Sequence, residues 1–483
     1  MNDFIEIIRT NAIKYPERIA VIERNRKINY ADFFNLVLSI SHQLRKINHN
    51  PKVVFDLDQS IDAYALIIAV LNVGGTFCPL NTASPIERKI QIINEFQPHV
   101  VVVSSDDNNI NYDKASTTTI AKLASKGNFA PIEENYNAES IIYVIYTSGS
   151  TGAPKGVMIC RKALNKFLEW SIPTYNAGES DIWGQFSLLS FDLSIVDIFT
   201  CLCSGATLLV LADKTSKWVP SSAIENNKIT IWHSIPSAID FMIEREKSRE
   251  ADLSSLRLMS FCGEPLRKHH LDFLFGKNNN LSIFNTYGPT EGTLFCTYQN
   301  FSINDYLNYC APTMSIGKPI PGWNFSFNPT EEPSLKEVVI YGDYIGIGYL
   351  GKVEDAKFRI IEVEGKRVKA FETGDLVTEN NGNLFFSCRK DRQIKFKGYR
   401  IEPDEIDFWN TEYFHNPSVT IYHNNALYSF IETDQDIDEK GIRCFLEKNI
   451  ELFKIPRTFI SVKKYPRSSN FKVNYSELAK LIT

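Results

Sequence analysis

Short apolar runs rich in β-branched residues recur along the chain, at 100–103, 141–146, 207–211, 229–232, 256–261 and 281–285. Runs of this length and type read as buried strands. Between many of them lie stretches with a helical period, at 61–71, 163–170 and 238–247. Strands alternating with helices predict a layered α/β architecture with largely parallel sheets. Segments 106–111 and 277–280 are polar and read as exposed loops. Past Tyr341 the pattern changes: Gly, Asp and charged residues become dense through 364–367 and 389–397. A short α+β unit follows to the end, so the expected domains are 1–391 and 392–483.

Length and charge narrow the class. A chain of 483 residues is too long for one ordinary core. A net charge of -5, from 52 basic and 57 acidic residues, is too mild for a protein that holds nucleic acid or a membrane surface by bulk charge. Nine cysteines are scattered with no CxxC pair. Cys201 and Cys203 lie in an apolar stretch and read as buried, reduced thiols. The first residues lack a basic stretch leading into an apolar one, and no apolar run approaches the roughly 20 residues of a membrane span. The expectation is a cytoplasmic protein with no nucleic-acid partner and no membrane insertion.

The most chemically loaded segment is Tyr146-Thr147-Ser148-Gly149-Ser150-Thr151-Gly152-Ala153-Pro154-Lys155-Gly156. Four hydroxyls, three glycines and a lysine suit a polyphosphate: glycine lets backbone amides turn toward an anion, and lysine adds a point charge. It is not the P-loop pattern, which opens a helix with GK[ST]. A β-prone run, Gly156-Val157-Met158-Ile159, follows instead, so the loop is expected to join two strands.

With this loop in place, the chain resembles the adenylate-forming superfamily of acyl-CoA synthetases, luciferases and the adenylation domains of nonribosomal peptide synthesis. The resemblance spans nearly the whole chain, its motifs in family order. Ile28-Asn29-Tyr30-Ala31-Asp32-Phe33 and 71–81 precede the loop; Phe191-Asp192-Leu193-Ser194, Asn285-Thr286-Tyr287-Gly288-Pro289-Thr290-Glu291, Thr373-Gly374-Asp375 and Arg389-Lys390-Asp391-Arg392 follow it, with Gly398-Tyr399-Arg400-Ile401-Glu402 last. The phrases 191–198 and Phe261-Cys262-Gly263-Glu264 are most similar to free-standing D-alanine–D-alanyl carrier protein ligases. The resemblance implies a large N-terminal domain of layered α/β subdomains and a small mobile α+β C-terminal domain turning about Asp391.

It also implies roles. ATP would be held by Thr147, Ser148, Gly149, Ser150, Thr151, Gly152 and Lys155, by Asn285, Thr286, Tyr287 and Thr290, and by Asp375 and Arg389. Tyr287 would stack on adenine, Asp375 in a tight turn would accept the ribose hydroxyls, and Glu291 would coordinate Mg2+. Lys155, Glu291 and Lys472 would carry catalysis, Lys472 also touching the nucleotide. Asp192 would meet a substrate ammonium. A buried carboxylate needs such a partner. Leu193, Val196, Cys262, Thr286 and Leu294 would line the pocket, with Ser237, Ser260 and Phe295 beside them, fitting a small amino acid such as alanine. The acyl group would pass to the phosphopantetheine arm of a separate carrier protein. Phe471 stands where the family has glycine before Lys472, and Cys388 where it has glycine before the arginine. His233 reads as a satisfied buried or pocket-wall histidine, and His269-His270 as surface residues rather than metal ligands. An acyl-CoA or aryl-acid ligase, and a silent adenylation-fold binding module, remain as alternatives.

Overall fold

The computed structural model describes residues 3–105, 116–124, 127, 129–132, 136–149, 153–211, 220–246, 252–351, 357–396, 398–467 and 473–482. The chain divides into two compact units. Unit one comprises residues 1–82, 96–145 and 156–390; unit two comprises 83–95, 146–155 and 391–483.

Unit one carries three sheets. In the nine-stranded sheet, six strands run parallel in the order Ser282–Tyr287, Leu258–Phe261, Ile231–Ser234, Ile182–Gln185, Thr207–Val210 and Ile19–Glu23. Antiparallel strands flank both edges. A seven-stranded sheet is centred on Thr76–Pro79, Lys52–Asp56 and Val100–Val103, all parallel. The third sheet is antiparallel, built around the long strand Lys366–Asn380. The apolar runs read from the sequence all fall in strands; their bounds move by a few residues, as with 229–232, which becomes Ile231–Ser234.

Helix Ile61–Asn72 is buried at every position save the intermediate Asp62. It is apolar almost all round, as a helix covered on all sides must be. The Ser60 side chain caps it by accepting from the Ala63 N–H. Helix Leu193–Ser204 is similarly buried and ends at Gly205, whose φ of 78° lets its N–H reach back to the Cys201 and Leu202 carbonyls. Cys201 and Cys203 are buried in this helix as thiols. Among the described residues no helix is long and apolar enough to cross a membrane.

Gly374 and Asp375 do not form the tight turn expected of them. They lie inside the strand Lys366–Asn380, where Thr373, Gly374 and Asp375 together oppose Val338 of the neighbouring strand. Gly374, at φ 73°, absorbs the extra residues as a bulge. The bulge re-aims Asp375 toward Arg389 on the next strand.

Unit two contains a hairpin, Ile394–Phe396 with Tyr399–Ile401, and a three-stranded sheet, Ser418–His423, Ala426–Glu432 and Thr458–Val462. Helices Pro403–Phe414 and Glu439–Asn449 cover them. A closed ring of alternating charges lies inside it. Arg88 sits 2.6 Å from Glu405 and 3.0 Å from Glu451; Lys454 sits 2.8 Å from Glu405 and 2.7 Å from Glu451. All four side chains are buried. Burial alone would raise the Glu451 carboxyl, but Lys454 and Arg88 outweigh it and hold the group down to about 2. The Ser84 hydroxyl donates to the same carboxylate at 2.9 Å.

Candidate active site

The strand Ser282–Tyr287 presents Asn285, Thr286 and Tyr287, all buried. The Asn285 amide donates to the Ser315 carbonyl at 2.9 Å, and the Thr286 hydroxyl to the Phe261 carbonyl at 2.8 Å. Both side chains are thus engaged with backbone and fix the strand's neighbours.

Tyr287, Asp375 and Arg389 come together. The Tyr287 hydroxyl donates to Asp375 Oδ2 at 2.7 Å, and Arg389 Nη1 pairs with Asp375 Oδ1 at 2.8 Å. The same arginine nitrogen donates to the Thr373 carbonyl, and the Thr373 hydroxyl accepts from the Asp375 N–H. Burial, reinforced by the Asp375 charge, pushes the Tyr287 phenol well above its ordinary range. A packed, hydrogen-bonded aromatic ring beside a carboxylate with a guanidinium is a preorganised polar end for an aromatic base and a diol.

A second group forms at the start of helix Leu193–Ser204. Asp192 sits at its N-cap without a capping bond from its side chain, although the Leu193 backbone N–H reaches its carboxylate. The sequence led us to expect full burial, but Asp192 keeps part of its surface open, as do Phe191 and Leu193. A carboxylate that must admit a ligand requires such an opening. The surrounding protein is still dense: burial pushes the Asp192 carboxyl up to about 6, tempered by a hydrogen bond with the Thr290 hydroxyl and reinforced by the charge of Glu291. Val196, one turn along, is fully buried, while Cys262 is half-buried beyond the end of strand Leu258–Phe261.

Glu291 is fully buried in the short 3-10 turn Thr290–Gly292. The Tyr349 hydroxyl donates to one of its oxygens at 2.6 Å. The turn is followed by Thr293 and Leu294 at φ 63° and 67°, the left-handed region that β-branched threonine strongly disfavours. Two such residues in succession store backbone strain beside the turn that carries Glu291. A buried carboxylate steadied by a phenol fits a hard divalent ion that takes its remaining ligands from phosphates and water.

Thr147, Ser148, Gly149 and Lys155 lie in unit two. Strands Ile141–Thr147 and Lys155–Cys160 stand on either side of the loop. The Ser148 hydroxyl donates to the Arg400 carbonyl at 2.8 Å. A Cβ on Gly149 would collide with the Ala153 carbonyl oxygen, so the loop requires glycine to fold back on itself. Thr147 ends the first strand and Lys155 begins the second. Ser150, Thr151, Gly152, Phe471 and Lys472 lie outside the described residues. Cys388 is exposed on its strand, opposite Leu376.

Asp240, His269 and His270 offer three metal-ligand atoms within 4.8 Å of one another. Asp240 Oδ1 lies 2.9 Å from His269 Nε2 and 3.0 Å from His270 Nε2. His270 is buried, correcting the surface reading of that residue, and burial pushes it down to about 4. Its Nδ1 accepts from the Arg267 N–H, so the neutral ring carries its proton on Nε2 and donates it to Asp240. A metal would need that nitrogen's lone pair, so the trio reads as a self-satisfied tie between helices Pro236–Glu246 and Lys268–Lys277.

Sequence reasoning did not single out Tyr349 or Asp197. Tyr349 stands 58 positions from the carboxylate it holds, and no spacing rule links them.

Comparisons with known proteins give the family. The model of the AMP-binding enzyme family matches residues 8–333. A D-alanine–D-alanyl carrier protein ligase of Staphylococcus haemolyticus is 30% identical over 497 aligned positions, covering 99% of each chain. Its Staphylococcus aureus counterpart is 29% identical, covering all of each chain. The Vibrio cholerae adenylation domain AlmE, solved with glycyl-adenosine-5'-phosphate, superposes with a TM-score of 0.85 at 22% identity, over 99% of this chain and 98% of that one. The chain therefore belongs to the AMP-binding, adenylate-forming enzyme family. It is an AMP-forming ligase that uses ATP.

Proposed function

We propose that this protein joins a small α-amino acid, D-alanine or one of similar size, to AMP. It then transfers the aminoacyl group as a thioester to the phosphopantetheine arm of a separate carrier protein, in the cytoplasm. The observation that carries the reading is Asp192: a carboxylate at a helix start, partly open, whose charged neighbour among the described residues is Glu291 rather than a cation. A substrate ammonium supplies the missing positive charge, and a fatty or aromatic acid has none. The names of the staphylococcal relatives support the same class.

The substrate carboxylate attacks the α-phosphorus and pyrophosphate leaves. Both reactants are anionic, so the site must neutralise charge and exclude water. Asp192 fixes the amino end, which orients the carboxylate. Tyr287 and Asp375 take the adenosine, with Arg389 holding Asp375 in its rotamer. Thr290, hydrogen-bonded to Asp192, links the amino-acid end to the phosphate end. Mg2+, held through Glu291, would screen the phosphate charge. Lys155 and the hydroxyls of the glycine-rich loop bind the departing pyrophosphate, and Lys472 bridges carboxylate and nucleotide. Residues 1–391 form the nucleotide- and substrate-binding portion, and 392–483 the portion that brings Lys472.

Two assays test this. ATP–pyrophosphate exchange should respond to amino acids and not to acetate or benzoate. With a phosphopantetheinylated carrier, radiolabelled amino acid should then appear as a hydroxylamine-labile protein thioester. Exchange driven by acetate or benzoate alone would reject the amino-acid assignment.

A further inference from the structure

The strands Ile231–Ser234 and Leu258–Phe261 run side by side with His233 opposite Ser260. Side chains alternate between the faces of a strand. Ile231 and Leu258 join the larger core, while Trp232 and Met259 join the other one. His233 and Ser260 therefore share the face of the larger core. Cys262 continues that face two residues further on, so Ser260 lies one strand repeat, roughly 7 Å, deeper than this pocket residue.

Three further groups converge on this row. Tyr175, the last residue of helix Arg161–Tyr175, packs edge-on against His233, with ring centroids 5.3 Å apart. Asp197, five residues past Asp192 in the chain, accepts from Trp183 Nε1 at 2.9 Å and faces His233 Nδ1 at 2.9 Å. Phe295, beside the proposed pocket, touches the same imidazole edge-on. Tyr175, Asp197, His233 and Ser260 are each no more than 1% exposed. Even so, Asp197 Oδ2 and His233 Nε2 lack a well-formed hydrogen bond, and the Tyr175 hydroxyl and Ser260 Oγ have only each other. Burial pushes both the Tyr175 phenol and the Asp197 carboxyl up, the first tempered by the adjacent Ser260 hydroxyl and the second by His233.

Buried polar atoms are normally satisfied, and a group of unsatisfied ones in a single place calls for a partner. Plain packing under an alanine-sized pocket would be served by apolar side chains, which carry no desolvation cost. A methyl group cannot repay that cost; a hydrogen-bonding side chain can. We infer that Tyr175, Asp197, His233 and Ser260 form the polar end of the amino-acid pocket, and that the substrate is a small α-amino acid whose side chain ends in a hydroxyl or amide. This rests on the adenylation reading above and narrows its substrate class.

The test is pyrophosphate exchange with the full-length protein and both enantiomers of serine, threonine, asparagine, glutamine and alanine, with glycine. The best polar substrate should exceed alanine by roughly 100-fold in kcat/KM. Tyr175→Phe should lower kcat/KM for that substrate roughly tenfold more than it lowers the value for alanine. Ser260→Ala, which removes one oxygen and little volume, serves as the second variant should Tyr175→Phe fold poorly. Alanine or glycine as the best substrate, with both variants affecting all substrates alike, would overturn the inference and leave internal water as the partner of these groups. A lack of exchange with every amino acid would bring down the adenylation reading itself, and this inference with it.

Discussion

Arg88, Glu405, Lys454 and Glu451 in unit two, and Asp192 with the polar row behind it in unit one, are both polar groups enclosed by protein, yet they are built differently. In the ring each charge meets two of opposite sign at 2.6 to 3.0 Å. Among the described residues the charged neighbour of Asp192 is another carboxylate, and behind it several buried polar atoms have no good partner. The ring's charges pair with one another, with the Ser84 hydroxyl as a further donor. The Asp192 region has charge and hydrogen-bonding capacity left over. Matched buried charge serves structure; on the reading proposed above, the unmatched polarity faces the ligand.

Substitution at the unmatched end should act on activity, and at the matched end on stability. Asp192→Ala should reduce amino-acid-dependent pyrophosphate exchange by roughly 1,000-fold or more, with a thermal midpoint close to that of the parent. Near-parental exchange in that variant would remove Asp192 from the pocket. Arg88→Met should do the reverse in kind, destabilising the fold by about 3–5 kcal/mol by leaving two buried carboxylates to one lysine. Replacing all four ring residues by apolar ones of similar size should restore most of that loss. Chemical denaturation reads both.

Acid should separate the two regions. With its carboxyl pushed up to about 6, Asp192 becomes neutral as pH falls through that value. The KM for the amino acid should then rise roughly tenfold per pH unit below about 6. Glu451 is shifted the other way, from an ordinary 4.5 to about 2. Its contribution to stability is complete above 4.5 and is lost only as pH falls toward 2. Between pH 6 and 5 substrate affinity should therefore decline while the ring's contribution stays intact. A parallel fall in both would contradict the comparison. The smallest effect is expected at Tyr287→Phe. It removes one hydrogen bond from Asp375, whose pairing with Arg389 persists. It should cost about 1 kcal/mol in stability and change the KM for ATP only modestly.

Much of the fold was legible in the chain because parallel strands, covered on both faces, leave continuous apolar runs such as Val100–Val103. The site motifs were legible because glycine, aspartate and glutamate stand there at short, fixed spacings. What escaped the sequence depends on distant parts of the chain meeting. Gly374 looked like a turn residue, and its role as a bulge required the opposing strand with Val338. Tyr349 and Arg88 carry no local signal for the carboxylates they hold. The row of Tyr175, His233 and Ser260 emerges only when a helix end is laid over two paired strands.

The most direct test of the account compares the best amino-acid substrate with its des-amino analogue, which keeps the same carboxylate and side chain but carries hydrogen in place of the ammonium. If Asp192 exists to pair with that ammonium, pyrophosphate exchange should be robust with the amino acid and near background with the analogue. Equal or faster exchange with the analogue would contradict it.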